Sequence, residues 1–224
     1  MREAVAADAV RELFATADAI ARHPDLTADA AEISAKDAAA LSQTVTPQGL
    51  IAVCELRQPT MAEVLAGAPS LLAVMIGTND PGNLGTIIRT ADAAGADAVV
   101  LDGGADPYNG KAVRASAGSL FHLPVVECPV QELLAATDRA GLLALATSGA
   151  GDHDLDGLAD AGTLAGPTVW LFGSEAHGLP APVLAAAQRT VRVPMHGRAE
   201  SLNLASAAAV CLYASARAQR AANR

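Results

Sequence analysis

Cysteine is scarce in this chain: three residues among 224, at Cys54, Cys128 and Cys211. Their spacing fits neither a disulfide framework nor a metal motif, so the expectation is a reducing, cytoplasmic setting with no metal. No apolar run at the N-terminus has signal-peptide character, and no segment is long and charge-free enough to span a bilayer. Basic residues are also short, 15 Lys and Arg against 24 Asp and Glu, for a net charge of −9. Proteins that grip polyanions over their whole surface are usually basic, which leaves a local basic face as the route to nucleic acid. A G-x-G-x-x-G turn after a strand is missing, which argues against a conventional Rossmann methyltransferase or dehydrogenase. Repeats and low-complexity tracts are missing too, apart from a bias toward alanine.

What is present is ample core material, 51% of the residues being hydrophobic. The length suits one large domain or two small ones. Up to residue 68, short apolar runs at 10–16, 31–34 and 50–55 predict strands, and 17–22 predicts a helix. Ser34 with Asp37 three residues later predicts a capped helix through Leu41. Residues 1–9 read as the end of a helix, with the expectation that native sequence lies upstream. Gly67-Ala68-Pro69 is the expected linker, giving domains at 1–68 and 69–224. From Leu71 on, strands are predicted at 71–76, 98–101, 125–128, 142–147, 168–172 and 191–193. Helices are predicted between and after them, at 84–94, 110–120, 130–140, 182–188 and 202–219. Continuous apolar strands alternating with helices indicate an α/β fold with a parallel sheet covered on both faces.

Three stretches carry candidate chemistry. Asp80-Pro81-Gly82-Asn83-Leu84-Gly85 leads out of a strand into a helix that bears Arg89. Taken alone, a turn, an Asn cap and a solvated Arg explain it. Gly173-Ser174-Glu175-Ala176-His177-Gly178-Leu179 follows another strand, at the edge where α/β proteins bind ligands. An ordinary turn with a capping carboxylate explains that one as well. Val193-Pro194-Met195, then Glu200-Ser201-Leu202-Asn203, reads as a strand, a turn and the opening of a helix, where free N–H groups and a partial positive charge gather.

In joint order the three are far more specific. With Gly110-Lys111-Ala112-Val113-Arg114-Ala115 between the first two, residues 71–224 resemble the SpoU/TrmH-type RNA ribose methyltransferases of the SPOUT superfamily. The resemblance implies a parallel α/β domain with a C-terminal deep trefoil knot, S-adenosylmethionine as cofactor, and a homodimer paired across the knot. The cofactor is then expected on Thr147, Ser148, Gly149, Phe172, Gly173, Gly178, Val193, Met195, Ser201 and Leu202. Arg89 would act on the ribose hydroxyl, often from the partner subunit, with Asn83 and Glu175 orienting it. Ser201 and Asn203 would shape the pocket around methyl group and ribose. A guanidinium stays protonated, so electrostatic stabilisation suits Arg89 better than general-base work. Arg89, Lys111 and Arg114 are candidate phosphate contacts, and Tyr108 can stack on a base.

The first 68 residues resemble part of a small α/β RNA-binding domain, closing at Thr46–Val53. Its basic opening strand and helix are absent, and residues 1–70 carry five basic against ten acidic groups. The expected activity is 2′-O-methylation of RNA ribose, on 23S ribosomal RNA in preference to transfer RNA. A role in antibiotic resistance is one narrower form of it. The alternatives are a tRNA enzyme and a non-catalytic RNA-binding protein of the same fold.

Overall fold

A computed structural model describes residues 1–222 apart from Gln43 and Val45. The chain forms two compact units that part between Arg57 and Gln58.

The first unit runs α1 (Arg2–Ala6), β1 (Val10–Ala15), α2 (Ala17–Arg22), β2 (Ala31–Glu32), α3 (Ala35–Leu41) and β3 (Leu50–Cys54). β1 is the centre of the order β2-β1-β3, parallel to β2 and antiparallel to β3. Thr16 and Ser34 each accept a backbone N–H at a helix start, as Ser-Asp spacing predicted for α3. Gly49, at φ +76°, lies under Thr16, where a Cβ would come within 2.4 Å of the hydroxyl. Among the described residues of this unit the buried apolar ones are all alanines (Ala4, Ala9, Ala15, Ala19, Ala38), while Leu41, Val53 and Leu56 are exposed. Alanine contributes little apolar area, so this unit has a thin core.

The second unit opens with α4 (Met61–Ala66), closed at its start by a reciprocal Thr60–Glu63 capping box. There follow β4 (Leu71–Thr78), α5 (Pro81–Ala94), β5 (Ala98–Gly104), α6 (Gly110–Ala115), β6 (Val125–Glu127), α7 (Val130–Arg139), β7 (Leu143–Thr147), β8 (His153–Asp154), α8 (Leu155–Asp160), β9 (Thr168–Phe172), α9 (Ala181–Ala186), β10 (Arg189–Arg192) and α10 (Leu204–Ala222). The seven strands form one sheet in the order β6-β5-β4-β9-β7-β10-β8, every neighbouring pair parallel. Side chains alternate across it. Leu71, Ala73 and Met75 pack with α5 and α10, and Leu72, Val74 and Ile76 pack with α4, α7 and α9. This is the predicted parallel α/β layering.

Several boundaries differ from the sequence reading. The units part after Arg57 rather than at residue 68, and α4, which lacked a strong apolar period, sends Val64 into the same cluster as Leu72 and Val74. The helix expected through Leu120 stops at Ala115, because Ala117 and Gly118 take left-handed backbone (φ 51° and 103°) before a short 3₁₀ turn. Residues 191–193 yield instead β10 at Arg189–Arg192, and the last helix starts at Leu204 rather than Leu202. β8 and α8 had no signal, being a two-residue strand and a short polar helix. Among the described residues no helix is long and apolar enough to cross a membrane, and no group of His, Cys, Asp or Glu could hold a metal ion.

Candidate active site

In an all-parallel sheet the carboxyl ends of the strands share one edge, and ligands of α/β proteins bind there. The three singled-out stretches leave β4, β9 and β10 at that edge. Asp80 starts α5: its carboxylate accepts the Gly82 N–H at 2.9 Å, and Pro81 takes the first helical position, where no N–H is needed. Asn83 therefore sits in the first turn.

Asn83 is held at both ends of its amide. Its Nδ2 donates to Glu175 Oε1 at 2.7 Å, and its Oδ1 accepts from Asn203 Nδ2 at 3.1 Å. An ionised carboxylate only accepts, so the Asn83 amide has a single orientation that satisfies both partners. Asn203 is fixed in turn, its Oδ1 accepting Ala205 N at 2.9 Å and Ser206 N at 3.3 Å as the cap of α10. One polar chain thus ties together loops 92 and 120 residues away from Asn83.

Arg89 does not join that chain. Six residues along α5 is about 120° around the helix from Asn83. Arg89 is exposed, and its side chain makes no hydrogen bond or ion pair to any described residue. Within one chain Asn83 and Glu175 hold each other, and neither bonds Arg89.

Glycine shapes the Glu175 loop. A Cβ on Gly173 would lie 2.1 Å from the Gly178 carbonyl carbon, so the loop returns directly over it. Ser174 and Gly178 form an isolated antiparallel bridge, with Gly178 N donating to Ser174 O at 2.8 Å. Gly178 turns at φ +66°. Both glycines build the loop, and Glu175 rides on it.

The expected cofactor residues gather at the neighbouring strand ends. Thr147 spends its hydroxyl on Leu171 O (2.9 Å), and Ser148 N donates to Val191 O (2.9 Å). Above Gly149 there is open space. Phe172 is fully buried and stacked on Trp170, ring centres 6.4 Å apart, so only its backbone can face a ligand. Val193 packs against the core, whereas Met195 and Leu202 are each 38% exposed and Ser201 is exposed. Residues 195–202 donate no backbone hydrogen bond to any described residue. The segment between β10 and α10 therefore offers free amides and two apolar side chains, and it ends at Asn203, which the Asn83 amide links to Glu175.

Lys111 is not a free cation. Its ammonium lies 2.5 Å from Asp80 Oδ1, and this bond, with the Gly82 N–H, holds the Asp80 carboxyl below the usual carboxylate range. The pairing needs α6 close to α5, which Gly85 permits: a Cβ there would sit 2.3 Å from Ala112 O. Arg114 is exposed with no partner among the described residues, and Tyr108 is 37% exposed in the preceding loop. The sequence reading missed Asp80 as the partner of Lys111, since 31 residues separate them. It also missed a cavity of about 520 Å³ beyond β5 and β6, on the far side of β4 from the expected cofactor residues.

Comparison with known proteins gives this geometry a context. The model of the SpoU rRNA methylase family matches residues 70–213. A 23S rRNA (guanosine(2553)-2′-O)-methyltransferase, RlmP, of Bacillus subtilis (strain 168) is 39% identical over 175 residues, covering 78% of this chain and 67% of that protein. A 23S rRNA (uridine(2479)-2′-O)-methyltransferase of Streptomyces viridochromogenes is 34% identical over 223 residues, 96% of this chain and 72% of that one. Among solved structures, the SpoU methyltransferase AviRb from Streptomyces viridochromogenes in complex with AdoMet superposes with a TM-score of 0.81 at 33% identity, over 99% of this chain and 87% of that chain.

Proposed function

Because the chain belongs to the SpoU rRNA methylase family, we propose that it transfers a methyl group from S-adenosylmethionine to a ribose 2′-hydroxyl of RNA, with 23S ribosomal RNA as substrate in the cytoplasm. The observation that carries this reading is the Glu175–Asn83–Asn203 chain, which unites all three motif stretches at one sheet edge. A non-catalytic RNA binder has no need of such an arrangement.

The residues present fit the cofactor. Unpaired amides of 195–202 suit the hydrogen-bonding edge of an adenine, and half-exposed Met195 and Leu202 suit its faces. Thr147, Ser148 and Gly149, with Gly173, Gly178 and the Phe172 backbone, would form the rest of the cradle, and Val193 and Ser201 its remaining side. When bound, S-adenosylmethionine supplies a methyl carbon activated by its sulfonium. The chain's own part is alignment: the ribose oxygen must stand in line behind that carbon while its proton leaves to solvent. Asn83, fixed by Glu175 and Asn203, and Ser201 beside it would position the ribose. Arg89 would stabilise the developing alkoxide and grip the adjacent phosphate with its fork. Arg89 lies on another face of α5 from Asn83, so it would serve the site of a partner in a homodimer.

In this reading the path between β10 and α10 is the knotted segment. The first unit contributes RNA contacts, and in the second unit Arg114, Lys111 and Tyr108 contact RNA beside the catalytic edge. The test is incubation with methyl-labelled S-adenosylmethionine and unmodified rRNA, followed by alkaline digestion. Label in alkali-resistant dinucleotides is the expected result. Label on tRNA alone would move the substrate assignment, and cofactor binding without transfer to either RNA would support the non-catalytic alternative.

A further inference from the structure

The 520 Å³ cavity beyond β5 and β6 has no part in the scheme above. Its volume lies in the range of small-ligand pockets. The floor is glycine backbone: Gly103 has open space above it, and Gly104 lies so close to Thr78 that a Cβ would come within 2.3 Å of the Thr78 carbonyl oxygen. Asp102, Asp106 and Glu127 line the walls. Thr78, the register partner of Gly104, is 1% exposed, and its hydroxyl has no hydrogen-bond partner among the described residues. Tyr108 follows in the same loop, its backbone N–H donating to the Asp106 carboxylate at 2.8 Å, and burial raises the pKa of its phenol, as do the charges of Asp106 and Glu127.

Position gives the cavity meaning. Strands in a sheet are spaced about 5 Å apart, so a pocket at the ends of β5 and β6 opens one to two spacings from the end of β4, which leads into the first turn of α5 with Asn83. That is within reach of the base of the nucleotide whose ribose stands at Asn83, or of its neighbour. We propose that this cavity is a nucleobase pocket that selects guanine over uracil at or beside the methylated nucleotide, a proposal resting on the RNA reading above.

The chemistry supports that choice. Ionised carboxylates only accept hydrogen bonds. The Watson–Crick edge of guanine presents two adjacent N–H donors, matching one carboxylate fork, whereas uracil places carbonyl oxygens on either side of its single N–H. RNA is read in this way where bases are splayed from single strands and stacked on aromatic rings, and Tyr108 supplies a ring. Acidic walls also exclude phosphates, leaving the backbone to the exposed guanidiniums of Arg89 and Arg114.

The test has two arms. In the first, saturation-transfer NMR compares guanosine and uridine 5′-monophosphates on the protein saturated with S-adenosylmethionine, which keeps nucleotides out of the cofactor site. Stronger contact with the guanosine nucleotide, lost in the Asp102→Asn/Glu127→Gln variant, is expected. In the second, kcat/KM for methyl transfer to rRNA falls roughly 10- to 100-fold in that variant, with unchanged cofactor Kd and thermal midpoint. Tyr108→Ala, which leaves the carboxylates in place, weakens both nucleotides alike and stands in if the double variant does not fold. Equal contact of the two nucleotides with the wild-type protein overturns the proposal, as does full rRNA transfer by the double variant. Absence of wild-type transfer to rRNA would instead sink the function assigned above, and the NMR arm would still decide the pocket.

Discussion

Asn83 is the residue on which the site turns, since its amide donates to Glu175 and accepts from Asn203 at once. Asn83→Ala leaves the helix start intact, because Asp80 remains the cap. It frees the other two side chains, and kcat is expected to fall at least about 10-fold, with cofactor Kd moving less than about 3-fold. Equal loss of both would show that Asn83 holds the cofactor rather than the ribose. A second polar knot lies in the core: Trp170 Nε1 donates to Ser215 Oγ at 2.9 Å, and Thr168 Oγ1 reaches the same oxygen at 3.2 Å. Ser215→Ala strands two buried donors, so a loss of about 1–3 kcal/mol in urea unfolding is expected. The residues of the first knot were legible in the sequence because motif order singled them out. Their bonding was not, since an Asn cap and a solvated Arg look alike in sequence whether or not a distant loop meets them. Ser215 gave no signal at all: a serine in an Ala-rich helix becomes informative only once Trp170 is found against it.

At the scale of elements, the strands were the most legible part, and β9 matched its predicted span of 168–172. Buried parallel strands are continuous apolar runs, and their ends are set by composition. Helix ends were less legible, because α6 is stopped by the left-handed backbone of Ala117 and Gly118 rather than by a change in apolar pattern. The crossing of α5 and α6 rests on Gly85. Gly85→Ala would bring a Cβ within 2.3 Å of Ala112 O and 2.7 Å of Ala115 Cβ, neither of which can swing aside. The helices must separate, at a cost of about 1–3 kcal/mol measured by denaturation, and Lys111 moves off Asp80. That ion pair has its own pH signature. The Asp80 carboxyl is held below its ordinary value by Lys111 and by the Gly82 N–H. A depressed native pKa gives stability that is full above the unfolded value and is lost as pH falls through the native one. Asp80→Asn keeps the helix cap and removes the charge. Its small deficit in urea midpoint against wild type should be present at pH 7 and fade as pH falls through the depressed native pKa. The pair is half-exposed, so solvent limits its size. A deficit that persists in acid would mean that the loss comes from the altered side chain rather than from the charge.

The whole molecule poses the question that the single chain raises about Arg89. The residue stands exposed about 120° around α5 from Asn83, so within one chain it cannot be oriented by the Glu175–Asn83 bond. A two-fold dimer solves this if each site takes Asn83 from one copy and Arg89 from the other. Two individually impaired variants then become a decisive pair. Mixed Arg89→Ala and Asn83→Ala chains, after subunit exchange, form heterodimers in which one site has both wild-type residues and the other has neither. Methyl transfer should return to about a quarter of the wild-type rate, because half the dimers are mixed and half their sites are intact. If both residues serve the same chain's site, every site in the mixture lacks one of them and the rate stays at the level of the single variants. The exposed pair Val210 and Tyr213 on α10 offers a control on the same premise. Tyr213→Asp places a charge on an apolar helix face, and if that face joins the copies, size-exclusion chromatography should show a shift toward monomer with recovery by mixing abolished.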